Sequence, residues 1–353
     1  MKKRVAVGLS GGVDSSVSAL LLKEKGYDVI GITLKLSSVD SCDSDIQVCC
    51  STKDILDAKR VASFLGIEHF VVDWQDLFQE KVIDYFVEEY RKGNTPNPCS
   101  ICNRDVKTGK LAQYAKVVLN ADFLATGHYI RLEDTENGKV IKRGKDKSKD
   151  QSYLLALVHK EILDILKFPL GDFTKEEVRE IAKKYKIPIS QKKESFEICF
   201  TAGKSPAEYL MENRLYDFKE GDIVHISGKK LGKHKGLPNY TIGQRRGIGV
   251  SWHRPLYVLD KNEEKNVIVV GEDKDILTDT VKTKDINFFV PIEKWKNISV
   301  QGRYRQKPEK VKEFYYKNDT LEIKLEKPNV RYAPGQILAV YEEDRLLAGG
   351  IIV

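Results

Sequence analysis

Val5-Ala-Val-Gly8-Leu9-Ser10-Gly11-Gly12-Val13-Asp14-Ser15-Ser16-Val-Ser-Ala-Leu-Leu21 sets a short apolar run against a Gly/Ser turn and then a helical period. Val5 to Val7 reads as a buried strand, and Ser15 to Lys25 as an amphipathic helix stopped at Gly26. Gly8, Gly11 and Gly12 lack a Cβ, so the backbone there is expected to take positive φ and come close to an anion. The helix opening near Val13 aims unpaired N–H groups and a positive dipole end at that anion. Ser10, Ser15 and Ser16 add hydroxyl donors. The stretch therefore reads as a phosphate cradle, against the plainer alternative of a turn that only caps a helix.

Two common phosphate motifs are excluded by spacing. No Lys follows Gly12, as a P-loop requires, and Gly8-x-x-Gly11-Gly12 is not the dinucleotide fingerprint. Ser10-Gly-Gly-Val-Asp-Ser15 instead resembles the pyrophosphate loop of the ATP pyrophosphatase (PP-loop) families. That resemblance implies cleavage of ATP between its α- and β-phosphates, adenylation of a carbonyl oxygen and release of pyrophosphate. It also gives Asp14 a share in holding Mg²⁺, although an acid in a helix's first turn equally complements the dipole.

The chain has 353 residues, of which 41% are hydrophobic, which is more than one core usually holds, so two or three domains are expected. No stretch approaches eighteen uninterrupted apolar residues, and the first dozen residues have no signal-peptide cleavage pattern. A cytoplasmic protein with no membrane partner is expected. The net charge of +7 comes with basic clusters at Lys142 to Lys149, Lys183 to Lys193, Lys229 to Lys235 and Arg245–Arg246. These fit either a polyanionic partner or the Lys/Glu-rich surface of a heat-adapted protein.

Residues 1–204 alternate strands and helices. Strands are expected at Val5 to Val7, Val29 to Leu36, His69 to Asp73 and Phe123 to Thr126. Helices are expected at Thr52 to Leu65, Phe78 to Arg91 and Asp105 to Tyr114. That rhythm predicts an α/β fold with a doubly wound parallel sheet, whose ligand site lies beyond the strands' carboxyl ends. There the Ser10 to Ser15 turn, Thr33 to Lys35 and Thr126-Gly127-His128 should converge. A polar linker over Glu133 to Lys149 and helices at Gln151 to Val158, Lys160 to Leu166 and Lys175 to Tyr185 complete the domain. Short β-branched and aromatic runs after Gly221 predict a small central β-rich domain (205–274) and a C-terminal β-barrel (275–353).

Six cysteines in a chain without an export signal are expected to be reduced. Cys99 and Cys102 form a C-x-x-C behind Pro96 and Pro98, just ahead of a helix, where Cys102 is better placed for a lowered thiol pKa. Taken alone, this motif fits a redox pair, half a zinc site, a corner of an iron–sulfur site or a sulfur carrier. Cys199 lies in an apolar segment that suits a buried, inert thiol. Cys42, Cys49 and Cys50 share an acidic, Ser-rich loop and are given no catalytic role.

Ser10–Ser16, Thr95–Asn103, Thr126–Tyr129, Lys149–Leu155, Phe196–Phe200 and Tyr240–Gly247 together resemble, in order and spacing, the bacterial tRNA-specific 2-thiouridylases of the PP-loop group. The likeness runs through Arg303-Tyr304-Arg305 and Pro334-Gly335-Gln336. It implies ATP-dependent replacement of O2 by sulfur on the wobble uridine of tRNA, with tRNA, not DNA, as the nucleic-acid partner. Gly8, Leu9, Ser10, Gly11, Gly12, Val13, Asp14, Ser15, Leu34 and Gly127 match its ATP-binding positions. Cys102 matches its nucleophile and Cys199 its persulfide carrier. Asn97, Pro98 and Cys99 match the loop that meets the target base. His128, Lys149, Asp150, Gln151, Arg303, Tyr304 and Gln336 match its tRNA contacts.

Many members carry Asp where this chain has Cys99, so an acid–base role for that carboxylate cannot be carried over. A third thiol makes Cys99, Cys102 and Cys199 a possible ligand set for a [4Fe–4S] cluster with one iron open to sulfide. Two routes thus stand. In one, Cys199 carries a persulfide from the donor protein of a cysteine desulfurase relay, and a Cys102–Cys199 disulfide results. In the other, sulfur rides on the cluster. Tyr240, Arg245, Arg246, Arg303, Tyr304 and Arg305 interleave cations and aromatics in a way that suits phosphates and splayed bases, although strand packing also explains the tyrosines.

Overall fold

The computed structural model describes residues 2–36, 52–192 and 198–353. Cys42, Cys49 and Cys50 lie outside the described residues. In the first part of the chain the strands are β1 (Arg4–Gly8), β2 (Asp28–Lys35), β3 (Glu68–Asp73), β4 (Phe123–Ala125), β5 (Ile130–Thr135), β6 (Gly138–Arg143) and β7 (Leu166–Lys167). Five of them make a sheet in the order β3-β2-β1-β4-β7, with every pairing parallel. Parallel neighbours need crossover connections, supplied here by helices such as α1 (Val13–Glu24) and α2 (Thr52–Leu65). Val5, Ala6 and Val7 of the central β1 are fully buried, as a strand covered on both faces requires.

Three local expectations are corrected. The helix expected from Asp105 begins at Pro98 and runs through a π-wound stretch, Cys102–Lys110, to Val117. Proline fits the first helical position, and the Asn97 side chain caps the helix by accepting from the Ser100 N–H at 3.1 Å. Cys99, not Cys102, therefore sits in the first turn. The stretch expected as a linker over Glu133 to Lys149 holds most of a β5–β6 hairpin turning at Glu136-Asn137, ahead of Gly138. The helices expected at Gln151 to Val158 and Lys160 to Leu166 are 3₁₀ turns, Ser152–Leu155 and Lys160–Ile165, followed by β7. The first is held by tertiary contacts, since Tyr153 is fully buried and its hydroxyl donates to the Ile337 carbonyl at 3.0 Å.

The rest of the described chain is rich in strands. β8 (Gly221–His225), β9 (Lys230–His234), β10 (Tyr257–Asn262) and β11 (Val267–Gly271) form a four-stranded sheet in the order β10-β11-β8-β9. The barrel strands are β12 (Leu277–Phe288), β13 (Ile298–Gln301), β14 (Glu309–Lys317), β15 (Thr320–Val330), β16 (Ile337–Glu342) and β17 (Arg345–Ile352). The order β12-β15-β14-β13-β16-β17 closes through a β12–β17 pairing, and the β5–β6 hairpin attaches to β17 at Lys142 and Arg345.

One apolar core joins Ile30 and Ile32 of the parallel sheet, and Phe78 and Phe86 of the helix over residues 75–91, to Phe289, Ile337, Tyr341 and Leu346 by way of Tyr153 and Leu155. A polar node sits beside it. Arg143 contacts Asp150 at 2.8 Å and Gln301 at 2.9 Å and lies 3.7 Å over the Tyr341 ring. Asp150 also accepts from the Gly144 N–H and the Ser152 hydroxyl. Arg143→Met strands that buried carboxylate and is expected to cost about 3–5 kcal/mol. Urea unfolding of the full chain measures the loss, and Arg143→Met/Asp150→Asn should recover part of it.

Candidate active site

The turn after β1 is built as a cradle, though by one glycine rather than three. Gly11 has φ +68°, and a Cβ there would lie 2.3 Å from the Asp54 carbonyl oxygen. Gly12 has φ −101°, and Gly8 is not among the positive-φ residues. Gly12 caps α1 without a side-chain hydrogen bond, so the N–H groups of the first turn are left for a ligand. The serines partly hold the turn itself. Ser15 Oγ accepts from the Ser10 N–H at 3.1 Å, and Ser16 Oγ donates to the Gly12 carbonyl at 2.8 Å. Gly127 presses on the same helix start, since a Cβ there would meet the Ser15 nitrogen at 2.9 Å.

These strand ends open into a cavity of about 620 Å³. Gly8, Ser10, Gly12, Val13, Asp14, Ser15 and Gly127 form its phosphate end, and Ile32, Leu34, Leu36, Phe78 and Val82 form an apolar wall. Asn97, Pro98, Cys99, Cys102 and Cys199 line it from the loop side, and Tyr304, Arg305 and Gln336 from the barrel. Leu9 and Gly11 stand behind the turn and do not line it. Leu9 is buried, and its carbonyl accepts from Thr33 Oγ1 at 2.7 Å.

Charge enters the cavity from residues whose roles sequence reasoning missed. Lys175 is buried and donates to both Asp14 carboxylate oxygens at 2.6 and 2.8 Å, with the Tyr129 hydroxyl donating at 2.8 Å. Lys192 bonds the Gly11 carbonyl at 3.0 Å and the carboxylates of Asp54 and Asp57 at 2.7 and 2.6 Å. Burial opposes its charge, but the two aspartates outweigh that and raise its pKa. Its sequence signal was the Lys183 to Lys193 cluster, which fits a polyanionic partner and a solvated surface equally. Lys107 also lines the cavity. His128 has its pKa pushed down to about 3, by burial first and then by Lys107, so it faces a ligand as a neutral imidazole with Nδ1 2.8 Å from Thr126 Oγ1.

Lys149, Gln151, Tyr304 and Gln336 line the cavity with His128, whereas Asp150 and Arg303 do not. The Asp150 carboxylate is turned inward to Arg143, and an Arg303 guanidinium nitrogen donates to the Arg331 carbonyl at 3.3 Å. Gln336 Nε2 donates to the carbonyls of Thr95 and Pro96 at 2.7 and 3.2 Å, so a barrel side chain holds the loop ahead of Cys99. Cys102 is buried, while Cys99 and Cys199 are partly exposed. Among the described residues, no three or more His, Cys, Asp or Glu side chains gather as a metal cage, and the three thiols line one cavity.

Family models match the chain in three segments: a tRNA methyl transferase HUP domain over residues 3–203, a tRNA methyl transferase PRC-barrel domain over 210–272 and an aminomethyltransferase β-barrel domain over 278–352. A tRNA-specific 2-thiouridylase MnmA of Persephonella marina is 67% identical over 99% of this chain and all of its own. Proteins of the same name from Aquifex aeolicus and a Hydrogenobaculum species are 53% and 51% identical, with 98% and 99% of their lengths covered.

The glycines give a graded test. Gly11→Ala and Gly127→Ala should weaken binding of a non-hydrolysable ATP analogue by roughly tenfold to a hundredfold, since each forces backbone apart. Gly8→Ala, whose new Cβ would meet nothing nearer than 3.8 Å, should leave it nearly unchanged. Calorimetric titration separates the three.

Proposed function

The chain belongs to the tRNA-specific 2-thiouridylase family, and from that membership we propose that its cavity adenylates the O2 of the wobble uridine with ATP and then delivers a sulfur atom carried on Cys199. As a member it is a tRNA sulfurtransferase of the ATP-using PP-loop type that forms 2-thiouridine in tRNA. The observation that carries the finer mechanism is that the uncapped start of α1 and the thiols of Cys102 and Cys199 line one cavity.

In this mechanism the α1 N–H groups and Ser10 bind the phosphates and stabilise charge on the departing pyrophosphate. The apolar wall at Ile32 and Leu34 takes the adenine. Mg²⁺ accompanying the nucleotide would meet two lining carboxylates, Asp14 and Asp54, which Lys175 and Lys192 already hold, so most of its ligands would be phosphate oxygens and water. The uridine must leave its stack in the anticodon loop, at a cost of a few kcal/mol, which contacts from Lys149, Gln151, Tyr304 and Arg305 offset.

Cys199, more exposed than Cys102, receives sulfur as a persulfide from the donor protein of a desulfurase relay. Its terminal sulfur attacks C2, and AMP leaves with the former O2. The Cys102 thiolate then attacks Cys199 Sγ, breaking the S–S bond and releasing 2-thiouridine, and the resulting Cys102–Cys199 disulfide is reduced by an external dithiol. The alternative route, with sulfur on a [4Fe–4S] cluster held by Cys99, Cys102 and Cys199, would use thiols of the same cavity and is separated by experiment. No helix among the described residues is long and apolar enough to cross a membrane, and we place the reaction in the cytoplasm.

Cys102→Ser and Cys199→Ser should each lower 2-thiouridine formation on the order of a thousandfold or more while tRNA-dependent release of pyrophosphate persists. Cys99→Ser should retain thiolation. Nucleoside mass spectrometry reads the product, and stoichiometric iron in anaerobically purified protein, together with loss of activity in Cys99→Ser, would favour the cluster instead.

A further inference from the structure

The trans peptide between Gly11 and Gly12 has its carbonyl bonded to Lys192 at 3.0 Å. In a planar trans peptide the C=O and the following N–H point in opposite directions. Holding the Gly11 oxygen therefore fixes the direction of the Gly12 N–H, the first donor of the run that leads into α1. We propose that Lys192 is a positioning residue that orients the phosphate-binding turn from behind, and that this orientation, more than its charge, sets the affinity for the triphosphate.

Three features support the assignment. The ammonium is divided among three acceptors, Gly11 O, Asp54 and Asp57, which uses all three of its N–H bonds. The three side chains are largely buried, with 12% exposure for Lys192, 11% for Asp54 and 7% for Asp57, so the contact is not a loose surface pair. Two elements separate in sequence meet there: the β1–α1 turn and the first turns of α2, whose Asp54 carbonyl also forbids a side chain at Gly11. Arg60 adds a longer contact to Asp57 at 3.4 Å and takes no part at Gly11. The Lys192 ammonium is held by two carboxylates, Asp54 and Asp57, so its charge is largely matched within the node, and this is why geometry is assigned as its contribution.

The inference rests on the cavity binding ATP, as proposed above, and its test is read on nucleotide binding, separately from thiolation. In the full chain, Lys192→Met should raise Kd for a non-hydrolysable ATP analogue at least about tenfold with tRNA affinity unchanged. Lys192→Arg, which can still donate to Gly11, should recover most of the loss. Lys192→Met/Asp57→Asn, which removes one of the two carboxylates that lose the ammonium in the single change, should regain part of the stability without regaining nucleotide affinity. Wild-type affinity in Lys192→Met overturns the proposal. So does recovery of affinity in the double variant, which would make the effect one of charge. A wild-type chain that binds no ATP analogue would instead overturn the reading of the cavity.

Discussion

Packing of the barrel against the helix that covers one face of the parallel sheet is the constraint from which the cavity follows. Phe78 and Phe86, on the helix over residues 75–91, share an apolar core with Tyr153 and with Ile337 and Tyr341 of the barrel. Without that contact the wall formed by Tyr304, Arg305 and Gln336 would have no fixed relation to the turn after β1. The polar node of Arg143, Asp150, Ser152 and Tyr341 lies at the same junction. Its buried charges are matched, so it adds directionality where apolar packing alone would allow sliding.

Within the cavity, cations are held close to carboxylates rather than left bare. Lys175 sits on Asp14, and Lys192 on Asp54 and Asp57. In the proposed reading such a site is ordered before a triphosphate arrives, and the start of α1 adds backbone dipoles to its field. The histidine beside it is neutral, so recognition of a polyanion there depends on donors of fixed direction more than on net charge.

The alternation of strand and helix made four strands of the parallel sheet legible, because β1 and β2 are nearly continuous buried apolar runs, whereas the two-residue β7 lay at the end of an expected helix. The cavity residues were legible from the motifs they lie in. The β5–β6 hairpin was not, although Ile130, Leu132 and Val140 flank the hairpin signal Asn137-Gly138. Glu133 to Lys149 is so polar that it read as a connector, and one face of the hairpin gains its partner only from β17, some two hundred residues away. Lys175 and Lys192 were hidden for a different reason. A lysine on a polar helix or in a basic run looks solvated until the fold supplies a buried carboxylate. The 3₁₀ turn at Ser152–Leu155 shows tertiary contacts overriding a local helical pattern.

The hairpin has one more consequence. Since β6 pairs with β17 and Arg345 contacts Glu133 at 2.7 Å, the boundary between catalytic domain and barrel in space is not the boundary along the chain. Chimeras that exchange barrels between relatives at a single crossover after the central sheet would separate a hairpin from the sheet edge it matches. Functional recombinants should need two crossovers, with residues 130–143 inherited together with the barrel they extend.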